Sequence, residues 1–142
     1  MQVPPRIDPA DIDPKYQSRI IREDKTIKID ACDLHYKDLN TLLRATIQTK
    51  GIEKIELYNV CGQRYLGTSL NTLINLDVYG TPGNDLAAFN NGPKLTVYGN
   101  AQDGSGNTMN EGQIIIHGHA GDVTGHSMRG GKIFVRDFVG YR

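Results

Sequence analysis

Apolar and polar residues alternate by two in four stretches of this chain: Ile74-Asn-Leu-Asp-Val-Tyr-Gly80, Leu95-Thr-Val-Tyr-Gly99, Ile114-Ile-Ile-His-Gly118 and Ile133-Phe-Val-Arg-Asp137. Alternation by two sends successive side chains to opposite faces of a strand, and a helix, with a period of about 3.6, cannot reproduce it. The stretches also recur at a fixed offset, because Gly80, Gly99, Gly118 and Asp137 follow one another in equal steps of 19. A fixed short period is the signature of a solenoid. Stepping by 19 aligns Leu57, Leu76, Leu95, Ile114 and Ile133 in one column, and Asn59, Val78, Val97, Ile116 and Val135 in another two places later. Lys94, Gln113 and Lys132 precede the first column and should point away from the core.

A coil of this length is too short for a strand plus a packed helix but fits two or three short strands joined by tight bends. The predicted fold is therefore mainly β, a single-stranded parallel β-helix. Short polar residues and glycines recur in register between the strands: Gly83, Gln102, Gly121 and Gly140; Ala87, Gly106 and Gly125; Asn84, Asp103 and Asp122. Glycine reaches positive φ without a Cβ penalty, and Asn or Asp folds a side-chain oxygen onto a nearby backbone N–H, so these positions are expected to be corners. Met109 and Met128 share a corner column with Asn90 and are expected to fill gaps in the core.

Upstream of the repeats the pattern changes. Residues 1–25 are expected to form an extended arm, since the first part is polar and proline-rich, with Val3-Pro-Pro and two Asp-Pro steps. Residues 26–60 read as a cap of strand, helix and strand. Thr26–Asp30 alternates, Leu39, Leu42, Leu43 and Ile47 fall at helical spacing between about Tyr36 and Thr49, and Ile55–Asn59 alternates again. A solenoid needs its first open coil covered, and this helix is expected to cover it. Residues 61–142 hold the repeats, which stop part-way through a corner at Gly140-Tyr-Arg142. An uncapped coil exposes backbone groups and an apolar section, so this end is expected either to continue in further coils or to be an interface, including one with a second copy.

The totals narrow the class. The 142 residues carry 16 basic and 16 acidic side chains, for a formal net charge of zero, with no basic run. That balance argues against nucleic acid, whose binding depends on neutralising phosphates. No apolar stretch approaches the roughly 20 residues needed to span a bilayer, and Met1–Asp13 has no signal-peptide run, so a cytoplasmic protein without a membrane partner is expected. Cys32 and Cys61 lack redox or zinc spacing and are expected to be reduced, partly buried thiols.

The corner patterns Gly-x-x-Gly-Asn-Asp-Leu (Gly80–Leu86), Gly-Asn-Ala-x-Asp-Gly-x-Gly-Asn-Thr-Met (Gly99–Met109) and Gly-x-Ala-Gly-Asp-x-x-Gly-x-x-Met-x-Gly-Gly (Gly118–Gly131) closely resemble the GXGXG domain, the C-terminal β-helix of the glutamate synthase large subunit. Asn59-Val-Cys-Gly-Gln-Arg-Tyr65 and the strand, helix and strand ahead of it look like the stand-alone homologue of that domain. The resemblance implies a corner motif of Gly80, Gly83, Asn84, Asp85, Gly99, Asp103, Gly106, Gly118, Gly121, Asp122, Gly125, Gly130 and Gly131. It also implies a non-catalytic scaffold subunit of a glutamate synthase-type oxidoreductase in nitrogen metabolism. The glutaminase and the FMN-binding synthase would be its partners, and FMN and iron–sulfur clusters would sit in those partners, none bound by this chain. Equivalent subunits occur in formylmethanofuran dehydrogenase and N-methylglutamate synthase.

Four constellations invite a chemical reading. Asp103 and Asp122 stack one coil apart, as paired catalytic carboxylates or a cation site would, but Asn84 in the same column makes a corner ladder the simpler reading. His117 and His119 alternate like metal ligands, with His126 a few residues on, but two imidazoles with no nearby carboxylate pattern fall short of the three or four ligands that zinc usually needs, so no metal is expected. Gly104-Ser-Gly106 lacks both the third glycine and the helix of a dinucleotide loop. Finally, Tyr79, Tyr98, His117 and Arg136 share an outward column that could bind a ligand along the flank. Asp77, Thr96, Ile115 and Phe134 form a second outward column that turns apolar, to be covered by the arm through Ile20 and Ile21 or by a partner. With no convergent nucleophile, base and oxyanion donors, no catalytic residue is assigned. A small ligand-binding or enzymatic β-helix using the Tyr/His/Arg ladder is the rival reading.

Overall fold

Residues 14–140 are described by the computed structural model of the chain. In order, the elements are α1 (Pro14–Gln17), β1 (Ile20–Glu23), β2 (Thr26–Asp30), α2 (Tyr36–Ile47), β3 (Lys54–Cys61), β4 (Asn75–Thr81), β5 (Asn91–Tyr98), β6 (Glu111–Ile116) and β7 (Lys132–Val135). The seven strands form one sheet in sequence order. Every pairing from β2 onward is parallel, giving a β-solenoid.

Alternation by two does what it predicts from β4 to β7. Leu76, Leu95, Ile114 and Ile133 pair in succession, as do Val78, Val97, Ile116 and Val135. The first step differs. Ile55 pairs with Leu76 and Leu57 with Val78, a longer step than in the later coils, so Leu57 belongs to the second column and Asn59 to neither. The register breaks between Leu57 and Val60, and Asn59 sits in the break at φ 59. A bulge of this kind absorbs the extra length of the first coil while keeping both aliphatic columns facing inward.

The opposite wall of each coil is not a strand. Alternate residues there have positive φ: Tyr65, Gly67 and Ser69; Asp85, Ala87 and Phe89; Gly104, Gly106 and Thr108; Val123, Gly125 and Ser127. Extended pairing needs every residue in the β region, so this alternation excludes a ladder of β type. The coils are nevertheless bonded along it. The Tyr65 N–H donates to Asn84 O, Asp85 N–H to Asp103 O and Gly104 N–H to Asp122 O, each at 2.9 Å. Each coil therefore holds one strand of substantial length and one turn wall, rather than two or three strands.

Between the walls one apolar cluster runs from Ile27 to Ala120. Its N-terminal end is closed by α2, which buries Leu39, Leu42, Leu43 and Ile47. The His35 Nδ1 accepts the Lys37 N–H at 3.2 Å and caps the first turn. Asn40 ties the helix to the first corner: its Nδ2 donates to Arg64 O (3.2 Å) and its Oδ1 accepts the Gly67 N–H (3.3 Å). Within the stretch expected to be an arm, β1 pairs antiparallel with β2, and Tyr16 and Ile20 pack against the core. Asp24 at φ 55 makes the tight turn between these strands. Residues 1–13 lie outside the described residues.

Candidate functional site

The corner motif is assembled as a set of close approaches between coils. A Cβ on Gly99 would collide with Gly80 O, one on Gly80 with Val60 O, and one on Gly118 with Asn100 Oδ1 and Gly99 O. In the neighbouring column, Gly83, Gly121 and Gly140 would collide with Gly62 O, Asp103 Oδ1 and Asp122 Oδ1. Of these six only Gly80 has a left-handed φ. The expectation that corner glycines supply positive φ holds at Gly106 and Gly125 (φ 69 and 70). At Gly83, Gly99, Gly118 and Gly121 the requirement is instead space for the backbone or side chain of the coil before. Gly130 meets Asn110 O in the same way, and Gly131 combines φ 82 with a Met109 methyl in its path.

The polar corner column is a ladder between coils rather than a set of local turns. Asn84 Oδ1 accepts the Asp103 N–H at 3.0 Å, and Asp103 Oδ1 accepts the Asp122 N–H at 2.7 Å. Asn100 and His119 repeat the device, with the Asn100 Oδ1 accepting the His119 N–H at 3.1 Å. That second ladder had a legible signal, since the two positions are 19 residues apart, but asparagine faces histidine there and the column looks irregular. Asp85 packs against Gly104, where a Cβ would meet its Oδ1 at 2.5 Å. Each of these side-chain carbonyls is thus engaged in stacking coils.

The outward ladder forms and is longer than the repeat arithmetic indicates. Tyr58 stacks on Tyr79 (4.8 Å between centroids, 2° between planes), Tyr79 on Tyr98 (4.8 Å, 10°) and Tyr98 on His117 (5.0 Å, 8°). Tyr58 is invisible to the regular step because of the longer first coil. Arg136 occupies the next rung, its N–H bonded to Ile116 O at 2.9 Å. Stacking closes both faces of Tyr79 and Tyr98, leaving ring edges outward. Sugars and bases that bind by stacking need an open face, so these central rungs do not serve the rival reading of the ladder.

Loss of solvent raises the Tyr79 phenol above its ordinary pKa of 10.0, and the carboxylates of Glu56 and Asp77 push the same way. Tyr58 is raised for the same first reason, with Glu56 next. A raised folded pKa means that the unfolded chain releases the proton first. The associated stability is then whole below pH about 10 and is lost as pH rises through the folded value. Tyr79→Phe is expected to weaken alkaline unfolding relative to the unchanged chain, as read by phenolate absorbance and circular dichroism along one pH titration.

The second outward column behaves differently along its length. Asp77 and Thr96, expected to face solvent, are 6% and 9% exposed, whereas Phe134 is 50% exposed. Asp77 lies under the Lys54 ammonium, 3.2 Å away. Ile20 and Ile21 do not cover Ile115 or Phe134, because β1 lies at the opposite edge of the sheet from β7. Five strand spacings of about 4.8 Å separate β1 from β6.

The remaining candidates fall apart or change character. His119 stacks on Phe138 (4.5 Å, 14°) and His117 belongs to the ladder. Among the described residues no group of three or more His, Cys, Asp or Glu side chains could hold a metal ion, and no helix is long and apolar enough to cross a membrane. Cys32 and Cys61 are free thiols, exposed rather than partly buried, because Cys61 ends β3 and Cys32 lies two residues beyond β2, both outside the aliphatic columns. Met109 is fully buried as expected, but Met128 is 36% exposed at the less covered last coil.

A parallel solenoid cornered by close-packed glycines, with its polar corner groups consumed between coils, defines a repeat domain whose motif is architectural. Residues 48–142 match the GXGXG motif family, and the chain belongs to that family, the family of the glutamate synthase C-terminal domain. A protein of Methanocaldococcus jannaschii described as uncharacterized is 48% identical over 71 residues, which cover 49% of this chain and 27% of that protein. The chain thus matches about a quarter of that relative's length. No solved structure matches the chain.

Proposed function

We propose that this chain is a non-catalytic scaffold that holds the working parts of a glutamate synthase-type oxidoreductase in place. The glutaminase and the FMN-binding synthase are its partners, and FMN and iron–sulfur clusters belong to those chains or domains. Family membership supplies the setting. The observation that carries the reading is the fate of the motif: Asn84, Asn100 and Asp103 accept backbone N–H groups of the next coil, and the glycines make room for that stacking. The corner residues that carry the resemblance hold coil on coil, which is what a scaffold requires. Formylmethanofuran dehydrogenase and N-methylglutamate synthase are alternative homes for the same role.

The test is a native pull-down from the source organism, with the full chain as bait and mass spectrometry as readout. Recovery of an amidotransferase chain together with a flavoprotein chain supports the reading. If neither is recovered, the scaffold reading is wrong, and turnover of a substrate by the purified chain that is lost in His117→Ala would assign the ladder reading in its place.

A further inference from the structure

The outer face of the sheet divides by charge along the solenoid axis. Its outward positions in β2 to β4 include Lys28, Lys54, Asp30, Glu56 and Asp77, and both lysines are engaged, Lys28 with Glu23 at 3.0 Å and Lys54 with Asp77 at 3.2 Å. From Lys94, Gln113 and Lys132 onward, the outward positions of β5 to β7 hold no carboxylate, with Glu111 standing before this stretch at the start of β6 and Asp137 just after Arg136, beyond the end of β7. There Lys94, Lys132 and Arg136 are exposed, and among the described residues no ion pair holds them. In a chain of zero net charge this is a local excess of cations on one face.

The cations border an apolar floor. Ile115, His117, Phe134 and Arg136 line a groove of about 430 Å³ between neighbouring strands. A second depression of about 420 Å³ continues on the other side of Phe134, past Lys94 and Lys132. Phe134 is half exposed, so a large ring stands in solvent between cationic groups. Desolvated apolar contact supplies affinity, and opposite charges at the rim supply register and on-rate.

We propose that this C-terminal part of the outer face is the surface on which a partner protein docks, through a segment that presents an apolar anchor flanked by aspartates or glutamates. This rests on the scaffold reading above and adds the surface and the chemistry of the segment it receives. The apolar anchor sits beside Ile115 and Phe134, and the carboxylates meet Lys94, Lys132 and Arg136. By contrast, Glu56 and Asp77 make the N-terminal half of the face a poor site for the same segment.

The native pull-down, repeated with altered baits and with carbodiimide cross-linking, tests this surface. Lys132→Glu with Arg136→Glu is expected to lower recovery of the amidotransferase or flavoprotein chain by about tenfold or more, and Phe134→Asp is expected to do the same. Phe89→Asp, at a half-exposed ring on the opposite wall of the coil, leaves recovery unchanged. Lysines 94 and 132 are expected to cross-link to partner carboxylates adjacent to an apolar residue. Undiminished recovery with the charge-reversed bait overturns the surface while the scaffold reading stands. Cross-links solely to a second copy of this chain overturn the assigned partner. Failure of the unchanged bait to recover either chain removes the scaffold reading and this surface with it.

Discussion

Gly99→Ala is expected to destabilise the protein by about 3 kcal/mol, the upper end of what overpacking costs. The reason is backbone against backbone. The added methyl would overlap Gly80 O, in a coil fixed on its other side by Val60, so relief requires moving two coils rather than turning one side chain. Gly62→Ala is the control, because a Cβ there meets nothing within 4 Å but the residue sits at φ 75. It is expected to cost only the left-handed penalty, about 1 to 2 kcal/mol. Urea midpoints of the two variants separate the explanations: equal losses would show that conformational freedom, not spacing between coils, sets the need for glycine at the corner.

Leu95→Ala is expected to cost about 4 kcal/mol, within the range for fully buried leucines. Leu95 has no exposed surface and is paired with Leu76 on one side and Ile114 on the other, and neither can collapse into the space without shifting a strand. Ile133→Ala occupies the same column one coil beyond Ile114 but is only partly buried. Its expected cost is about 1 to 2 kcal/mol, the range for incomplete burial of an aliphatic chain. Chemical denaturation of both variants measures the gradient, which should fall toward the last coil.

The repeat was legible because its cause is strictly periodic. A side chain facing the axis in one coil has its counterpart at the same place in the next, so Leu76, Leu95, Ile114 and Ile133 announce themselves as a column. In the first coil a bulge adds length without changing the alternation, so a step of 19 sets Leu57 under Leu76 and leaves Tyr58 out of the ladder. The turn wall was illegible for another reason: Asp85, Ala87, Phe89 and Val123 adopt positive φ there, and only contacts between coils hold residues of those types in that region. The antiparallel β1 was hidden by the proline-rich composition ahead of it.

At the candidate site, sequence located the columns but not the partners of each side chain. Asn84 and Asp103 were recognisable as corner residues, yet that each bonds the coil after it depends on how closely the glycines let the coils approach. Asp77 looked exposed from its place in the alternation, and Lys54, on the strand before, encloses it. The apolar turn of that column at Ile115 and Phe134 was legible. Its cationic border became apparent only once Lys94, Lys132 and Arg136 were set on one face of the sheet.

Scaffold, corner motif and docking face all depend on coil-by-coil equivalence, and methyl-to-methyl nuclear Overhauser contacts in solution test it most directly. A single chain of contacts is predicted from Ile55 to Leu76, Leu95, Ile114 and Ile133, each methyl touching the next in line, with Leu57 joined to Val78. Leu95 and Ile114 methyls that make no contact with each other, or that contact the Tyr98 ring edge on the outer face instead, would contradict it.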